Sequence, residues 1–174
     1  MRSFNEYITE VFNNPFKFRV QGGDKKSSFY AFNSSEGDVI LVKFFQNNYR
    51  DPSLGTPALA PRSFEVSFTN NTKNLAAGPE NNPSDVTNRG EAFRIFATLG
   101  IIIEDFIKKM KPDAIIFFSK AANRSKLYKA MLKKTKIPKY TTSSSGSSTN
   151  KAFIIIQKNI NDDEVIDDII DTFS

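Results

Sequence analysis

Gly90-Glu91-Ala92-Phe93-Arg94-Ile95-Phe96-Ala97-Thr98-Leu99-Gly100-Ile101-Ile102-Ile103-Glu104-Asp105-Phe106-Ile107-Lys108-Lys109-Met110 is the stretch on which the fold turns. Ala92, Ile95, Phe96, Leu99, Ile102, Ile103, Phe106, Ile107 and Met110 recur at the spacing of one helix face. This predicts a long amphipathic helix from about Gly90 to Met110. Lys111-Pro112 stops it, because proline has no N–H to continue the ladder. Ala114 to Phe118 then reads Ala-Ile-Ile-Phe-Phe, an unbroken apolar run that predicts a central strand buried on both faces.

Upstream, Ser3 and Glu6 form a capping box before a short helix from about Phe4 to Phe12. Phe16 to Val20 alternates apolar and basic residues and predicts a half-exposed strand; Gln21 to Lys26 reads as a turn. Ser28 to Asn33 and Val39 to Phe45 are further strands joined by Glu36-Gly37-Asp38, which makes an antiparallel meander. Asn47 to Pro61, with three prolines, is a long loop. Ser63 to Thr69 alternates cleanly and predicts another half-buried strand. Asn70 to Thr87 is a second polar loop, interrupted by a short strand around Asn74 to Ala76.

Downstream, Ser119 is placed to cap a helix from about Ala121 to Lys134, with Leu127, Tyr128, Met131 and Leu132 on its inner face. Thr141 to Thr149 is rich in Ser, Thr and Gly and reads as a flexible hairpin loop. Lys151 to Lys158 is a strand expected to pair near Ala114 to Phe118. The tail from about Asp162 to Phe173 is an acidic amphipathic helix that must dock on something. The whole is an α+β chain, a mainly antiparallel mixed sheet flanked by helices, expected to form one domain over residues 1–174.

Composition narrows the chemistry. The 174 residues contain no Cys and no His. Zinc sites of the usual kind, cysteine nucleophiles and Ser-His-Asp triads are therefore excluded, and no metal site is expected. Disulfides are impossible, Met1 to Glu10 lacks the apolar run of a leader, and no stretch is long enough to span a bilayer, so the expected location is the cytoplasm. The net charge of +5 is unevenly spread. Between Lys108 and Lys139 stand eleven basic residues and one acid, Asp113; after Lys158 stand six acids and no base.

Three constellations could carry chemistry. Asn88-Arg89-Gly90-Glu91-Ala92 precedes and opens the long helix, where unpaired N–H groups and the positive dipole end suit a phosphate. Gly90 equally serves as a plain turn residue. Arg124 and the lysines around it can hold the phosphates of a nucleotide-containing cofactor or nucleic acid, or simply form a solvated helix face. Glu65 and Glu91 can act as a general base. Against that, Glu65 lies on the polar face of a strand and Glu91 in a helix first turn, where acids are favoured anyway. Tyr128, on an inner face, has core packing as its alternative to catalysis.

The order of elements resembles the GNAT (Gcn5-related N-acetyltransferase) fold. In that family the turn before the long helix reads Gln/Arg-x-x-Gly-x-Gly/Ala, and Gly90-Glu91-Ala92 matches its second half while Thr87 departs from its first position. The family's later Asn-x-x-Ala-x-x-Leu-Tyr is matched at Leu127-Tyr128; Ala121 and Arg124 stand at the other two positions, and no Gly-Phe follows. The resemblance covers about Ser63 to Lys158. It implies that backbone amides around Gly90 to Ala92 hold the pyrophosphate of acetyl-coenzyme A or another acyl-coenzyme A, beside which Arg89 and Arg124 are candidate cofactor-binding residues and Glu65 the candidate base. It further implies that Tyr128 protonates the leaving thiolate and that the acceptor is a small-molecule or protein amine. The opening Met1-Arg2-Ser3-Phe4-Asn5-Glu6-Tyr7-Ile8-Thr9-Glu10, with Gly90 to Thr98 and Arg124 to Tyr128, also resembles uncharacterised proteins of marine tailed phages.

Two other classes stand beside the acyltransferase. One is a non-enzymatic phage accessory or assembly protein that keeps the fold without the cofactor. The other is a nucleic-acid binder using the basic block with Tyr128 and Tyr140. The acidic tail weighs against the last, because within the molecule or in a homodimer it could neutralise the lysines.

Overall fold

The computed structural model describes residues 13–46, 59–70, 89–120, 122–135, 137–147 and 150–173. The expected helix at Phe4 to Phe12, the short strand at Asn74 to Ala76 and most of the Asn47 to Pro61 loop lie outside these residues.

The elements in chain order are β1 (Phe18–Gly23), β2 (Ser27–Asn33), β3 (Val39–Phe45), β4 (Ser63–Asn70), α1 (Arg89–Met110), β5 (Ala114–Ser119), α2 (Ala122–Lys134), β6 (Tyr140–Gly146), β7 (Lys151–Gln157) and α3 (Asp163–Phe173). The strands form one sheet in the order β1-β2-β3-β4-β5-β7-β6. Every neighbouring pair is antiparallel except β4–β5. The chain is thus α+β, with a mainly antiparallel mixed sheet and helices on both faces, as expected.

The long helix forms where its periodicity places it. Its last turn carries Lys108 and Lys109, whose charge suits the negative end of the dipole. Lys111 adopts a left-handed φ of 48° and its N–H returns to the Ile107 carbonyl; Pro112 follows and ends the helix. Ile95, Leu99, Ile102, Ile103 and Phe106 are buried against the sheet. The core on this face is aromatic: Phe106 stacks on Phe44 at 3.9 Å between centroids and meets Phe64 edge-on. β5 is central and buried on both faces, as its unbroken apolar run requires.

Alternation sends the other residues of β5 and β7 to the opposite face. There Ala114, Ile116, Ala152, Ile154 and Ile156 pack against Ile169 of α3. The acidic helix therefore docks on the sheet face away from α1 and α2. Its acids thus lie across the sheet from the lysines of α2.

Two expectations are corrected. β1 runs on through Gly22 and Gly23 instead of turning at Gln21, with a bulge between Val20 and Gly22. Gly23 has φ +149°, and a Cβ there would stand 2.4 Å from the Ser27 carbonyl oxygen, so glycine alone fits this close hairpin. The turn itself is shorter: the Asp24 carboxylate accepts from the Lys26 and Ser27 N–H groups. The second correction is β6. The Ser/Thr-rich run expected as a loop is the edge strand, with Thr141, Thr142, Ser143 and Ser144 paired to Ile156, Ile155, Ile154 and Phe153. A run that is polar at every position shows no alternation. Its pairing comes from the apolar strand beside it.

Candidate functional site

β4 and β5 run side by side for only three rungs: Ser63–Ala114, Phe64–Ile115 and Glu65–Ile116. Beyond Glu65, β4 continues to Asn70 on β3, and beyond Ile116, β5 continues to Ser119 on β7. The sheet is therefore split along its middle, closed at one end and open at the other.

The closed end is tied by hydrogen bonds. The Arg62 N–H donates to the Asp113 carboxylate at 2.9 Å, and the Asp113 N–H donates to the Arg62 carbonyl at 3.0 Å. The Pro112 carbonyl accepts from the Tyr140 hydroxyl at 2.7 Å and from Gln157 Nε2 at 2.8 Å. These bonds set where β5 starts, and so where the split begins.

At the open end β5 leads into α2, which begins three residues after Ser119 and turns its positive dipole end toward that end. α1 begins at the same end of the sheet, tied to the β2–β3 turn. The start of α1 is strapped to the meander. Glu91 is buried, and its carboxylate accepts from the Ser35 N–H at 2.7 Å in the β2–β3 turn. Arg94 lies 3.9 Å over the Phe16 ring, and donates to the Asn14 carbonyl and the Ser35 hydroxyl. Thr98, fully buried, accepts from the Phe16 N–H at 2.9 Å. The Glu91 side chain is thus spent on structure; only its backbone remains for a ligand. Arg89 and Gly90 open the helix and Ala92 completes its first turn, as the sequence placed them.

Arg124 stands in the first turn of α2. Its Nη2 is buried and has no hydrogen-bond partner among the described residues. A buried guanidinium donor left unpaired costs free energy, of the order of 1–3 kcal/mol or more for a charged group, which an anion at this place would recover. Next to it, the Ser125 hydroxyl donates to the Ser119 hydroxyl at 3.1 Å, a buried pair that joins α2 to the end of β5. The sequence offered Ser119 as a cap and gave no signal for Ser125.

Tyr128 lies over the split. Its ring meets Phe68 of β4, Phe96 of α1, Phe117 of β5 and Phe153 of β7 at centroid distances of 4.5 to 6.4 Å. It is 5% exposed. Burial pushes its phenol well above the ordinary tyrosine value, and the Arg124 guanidinium partly offsets this. Glu65 is the last rung of the β4–β5 ladder. Its neighbours Phe64 and Val66 are buried in the α1-side core, so Glu65 points to the opposite face, the one that carries α3. Burial raises its carboxyl pKa above the usual range. Tyr128 and Glu65 therefore flank the split from opposite faces. Among the described residues no group of three or more Asp and Glu side chains could hold a metal ion, and no helix is long and apolar enough to cross a membrane.

No protein-family model matches the chain, and no curated protein matches it. Solved structures do. The chain is similar to a point mutant of spermidine N-acetyltransferase SpeG from Vibrio cholerae, at 13% identity over 94% of this chain and 81% of that one, with a TM-score of 0.43. A chimera of the same Vibrio cholerae protein with hSSAT gives 15% identity over 92% and 80%, and a TM-score of 0.43. Ribosomal-protein-S5-alanine acetyltransferase from Vibrio fischeri gives 10% identity over 78% and 64%, with a TM-score of 0.39. Likenesses at this level carry no argument about activity, so the functional reading rests on the geometry of the split.

Proposed function

We propose that the chain is a GNAT-like acyltransferase that binds an acyl-coenzyme A at the open end of the β4–β5 split and transfers the acyl group to an amine. The observation that carries this is the buried Nη2 of Arg124, unpaired among the described residues, in the first turn of the helix that follows the open end of β5. A pyrophosphate fits that donor set: the backbone amides of Arg89 to Ala92 and the Arg124 guanidinium would hold it. Acyl-coenzyme A would supply an activated thioester.

The residues then divide the proton work. The amine nitrogen attacks the thioester carbonyl, a C–N bond forms and the C–S bond breaks. Glu65 takes the proton that the amine gives up, directly or through water; its raised pKa moves it toward the range a base needs near neutral pH. Tyr128 gives a proton to the departing sulfur. Burial keeps its phenol protonated, the form in which a general acid starts. A thiol ionises near pH 8.5, so transfer from so weak an acid runs uphill, and the neighbouring Arg124 charge is what eases it. On this reading the acyl chain threads between the diverging strands, with Tyr128 on one face of the sheet and Glu65 reached through water on the other.

Titration of acetyl-coenzyme A into the protein, with melting followed beside it, tests the reading. Binding raises the melting temperature. Arg124→Gln is expected to weaken it about tenfold, the scale of one charge-assisted hydrogen bond. Tyr128→Phe should keep binding while turnover with a polyamine or peptide amine drops by about 10²-fold. Unchanged turnover would return Tyr128 to a packing role. The second reading, a non-enzymatic protein that reuses the fold, is favoured by the burial of Tyr128 among four aromatic rings. Absence of binding at millimolar ligand would establish it.

A further inference from the structure

α2 has two flanks. One meets α1, where a Cβ on Gly100 would come within 3.4 Å of Met131 and within 3.0 Å of Thr135. The other faces β6 across an open groove of about 250 Å³, lined by Lys129, Leu132 and Lys133 of α2, Thr142, Ser143 and Ser144 of β6, and Phe153 of β7. The groove is thus on the side of α2 away from the split.

Its lining is chemically selective. Lys129 and Lys133 are one helical turn apart and share a face. Neither has an ion-pair partner among the described residues, and α2 itself contains no acid. Thr142 and Ser144 sit two apart on β6, so their hydroxyls point to the same side. Their partners on β7 are Ile155 and Phe153. A larger apolar residue at either β6 position would have extended the core under α2; the short hydroxyls leave space and donors instead. Leu132 and the buried Phe153 supply the apolar part of the lining, while Lys129, Lys133, Thr142 and Ser144 are exposed along it.

We infer that this groove is a second binding site, for a compact phosphate-bearing anion. A phosphate offers several acceptor oxygens around one centre, which suits two lysines on α2 and two hydroxyl residues on β6 lining one groove from opposite sides. A polynucleotide is the poorer occupant. Single-strand sites use exposed aromatic faces for stacking, and the one ring in this lining, Phe153, is 1% exposed. The volume also falls below the roughly 300–1,000 Å³ of sites for larger ligands.

The experiment is calorimetric titration of inorganic diphosphate, and separately of a sugar phosphomonoester, into the full chain at low salt. Diphosphate is expected to bind. A preference for the phosphomonoester would identify a metabolite site, and a preference for diphosphate a polyphosphate one; both uphold the groove. Binding should fall at least tenfold in Lys129→Gln/Lys133→Gln and in Ser144→Val, which fills the groove from an exposed edge strand. It should persist in Lys17→Gln/Lys25→Gln, which removes the same charge elsewhere. Equal loss in that control, retention in Ser144→Val, or no binding by wild type would overturn the inference. So would binding of a single-stranded oligonucleotide in the absence of diphosphate binding. Acetyl-coenzyme A binding through Arg124 is read out separately, so the two sites stand or fall apart.

Discussion

The two faces of the sheet solve the same packing problem with different residues. The α1–α2 face spans strands β1 to β7 and is filled by rings: Phe32, Phe44, Phe64, Phe106, Phe117, Tyr128 and Phe153. The α3 face covers mainly β5 and β7 and uses Ala114, Ile116, Ala152, Ile154 and Ile156. The difference follows from what each face must accommodate. Two helices crossing a split sheet leave uneven space, and large rings fill it with edge and stacked contacts. One short helix lying over two strands needs a smooth aliphatic surface, which Ala and Ile provide. Charge follows the same division, with Lys and Arg on α2 and Asp and Glu on α3. The polarity seen along the sequence is therefore a polarity across the sheet.

The largest test of this contrast is Phe106→Ala. Phe106 is fully buried between Phe44 and Phe64, so the expected loss is about 3–5 kcal/mol, read from the denaturant midpoint. Ile169→Ala removes the one buried side chain of α3 and should cost less, about 2 kcal/mol. Amide exchange should then quicken in α3 before it does in α1. An equal cost for the two substitutions, or exchange that quickens uniformly, would show that the faces form one cooperative unit.

The smallest effect concerns Glu65, the polar residue at the tip of the split. Its folded pKa is raised, so the folded state holds the proton more tightly than the unfolded one. Between the unfolded and folded values stability falls as pH rises. Glu65→Gln should therefore raise the melting temperature at pH 7–8, with the gain shrinking as pH drops toward the ordinary glutamate range near pH 4. A gain that does not vary with pH would place the Glu65 carboxyl in water.

Much of this was legible. The period of Gly90 to Met110 and the unbroken run at Ala114 to Phe118 placed the central helix and strand within a residue or so of Arg89–Met110 and Ala114–Ser119. β3 lies at Val39–Phe45 as read. The end of β1 departs from the sequence pattern because Gly22-Gly23 resembles a turn; here a bulge between Val20 and Gly22 keeps the strand going. β6 was missed because hydroxyl residues alternate without contrast, and with it went the groove that β6 forms with Lys129 and Lys133. Among candidate site residues, Glu65 ends the β4–β5 ladder, Tyr128 packs on Phe68 and Phe117 of the two strands, and Arg124 stands one helical turn before Tyr128. The use of the Glu91 carboxylate as a strap to Ser35 had no sequence signal, since the two lie 56 residues apart.

By itself, the sequence determined the class of fold, the lengths of its main elements, and the exclusion of cysteine and histidine chemistry, Cys/His zinc sites included. Those depend on periodicity and composition, which are local. Only the tertiary structure decided that β4 and β5 part after Glu65, that Tyr128 and Glu65 take opposite faces, and that the acidic helix lies across the sheet from the basic one. Each of these depends on register and on the face a strand presents, and register is set by partners far away in the chain.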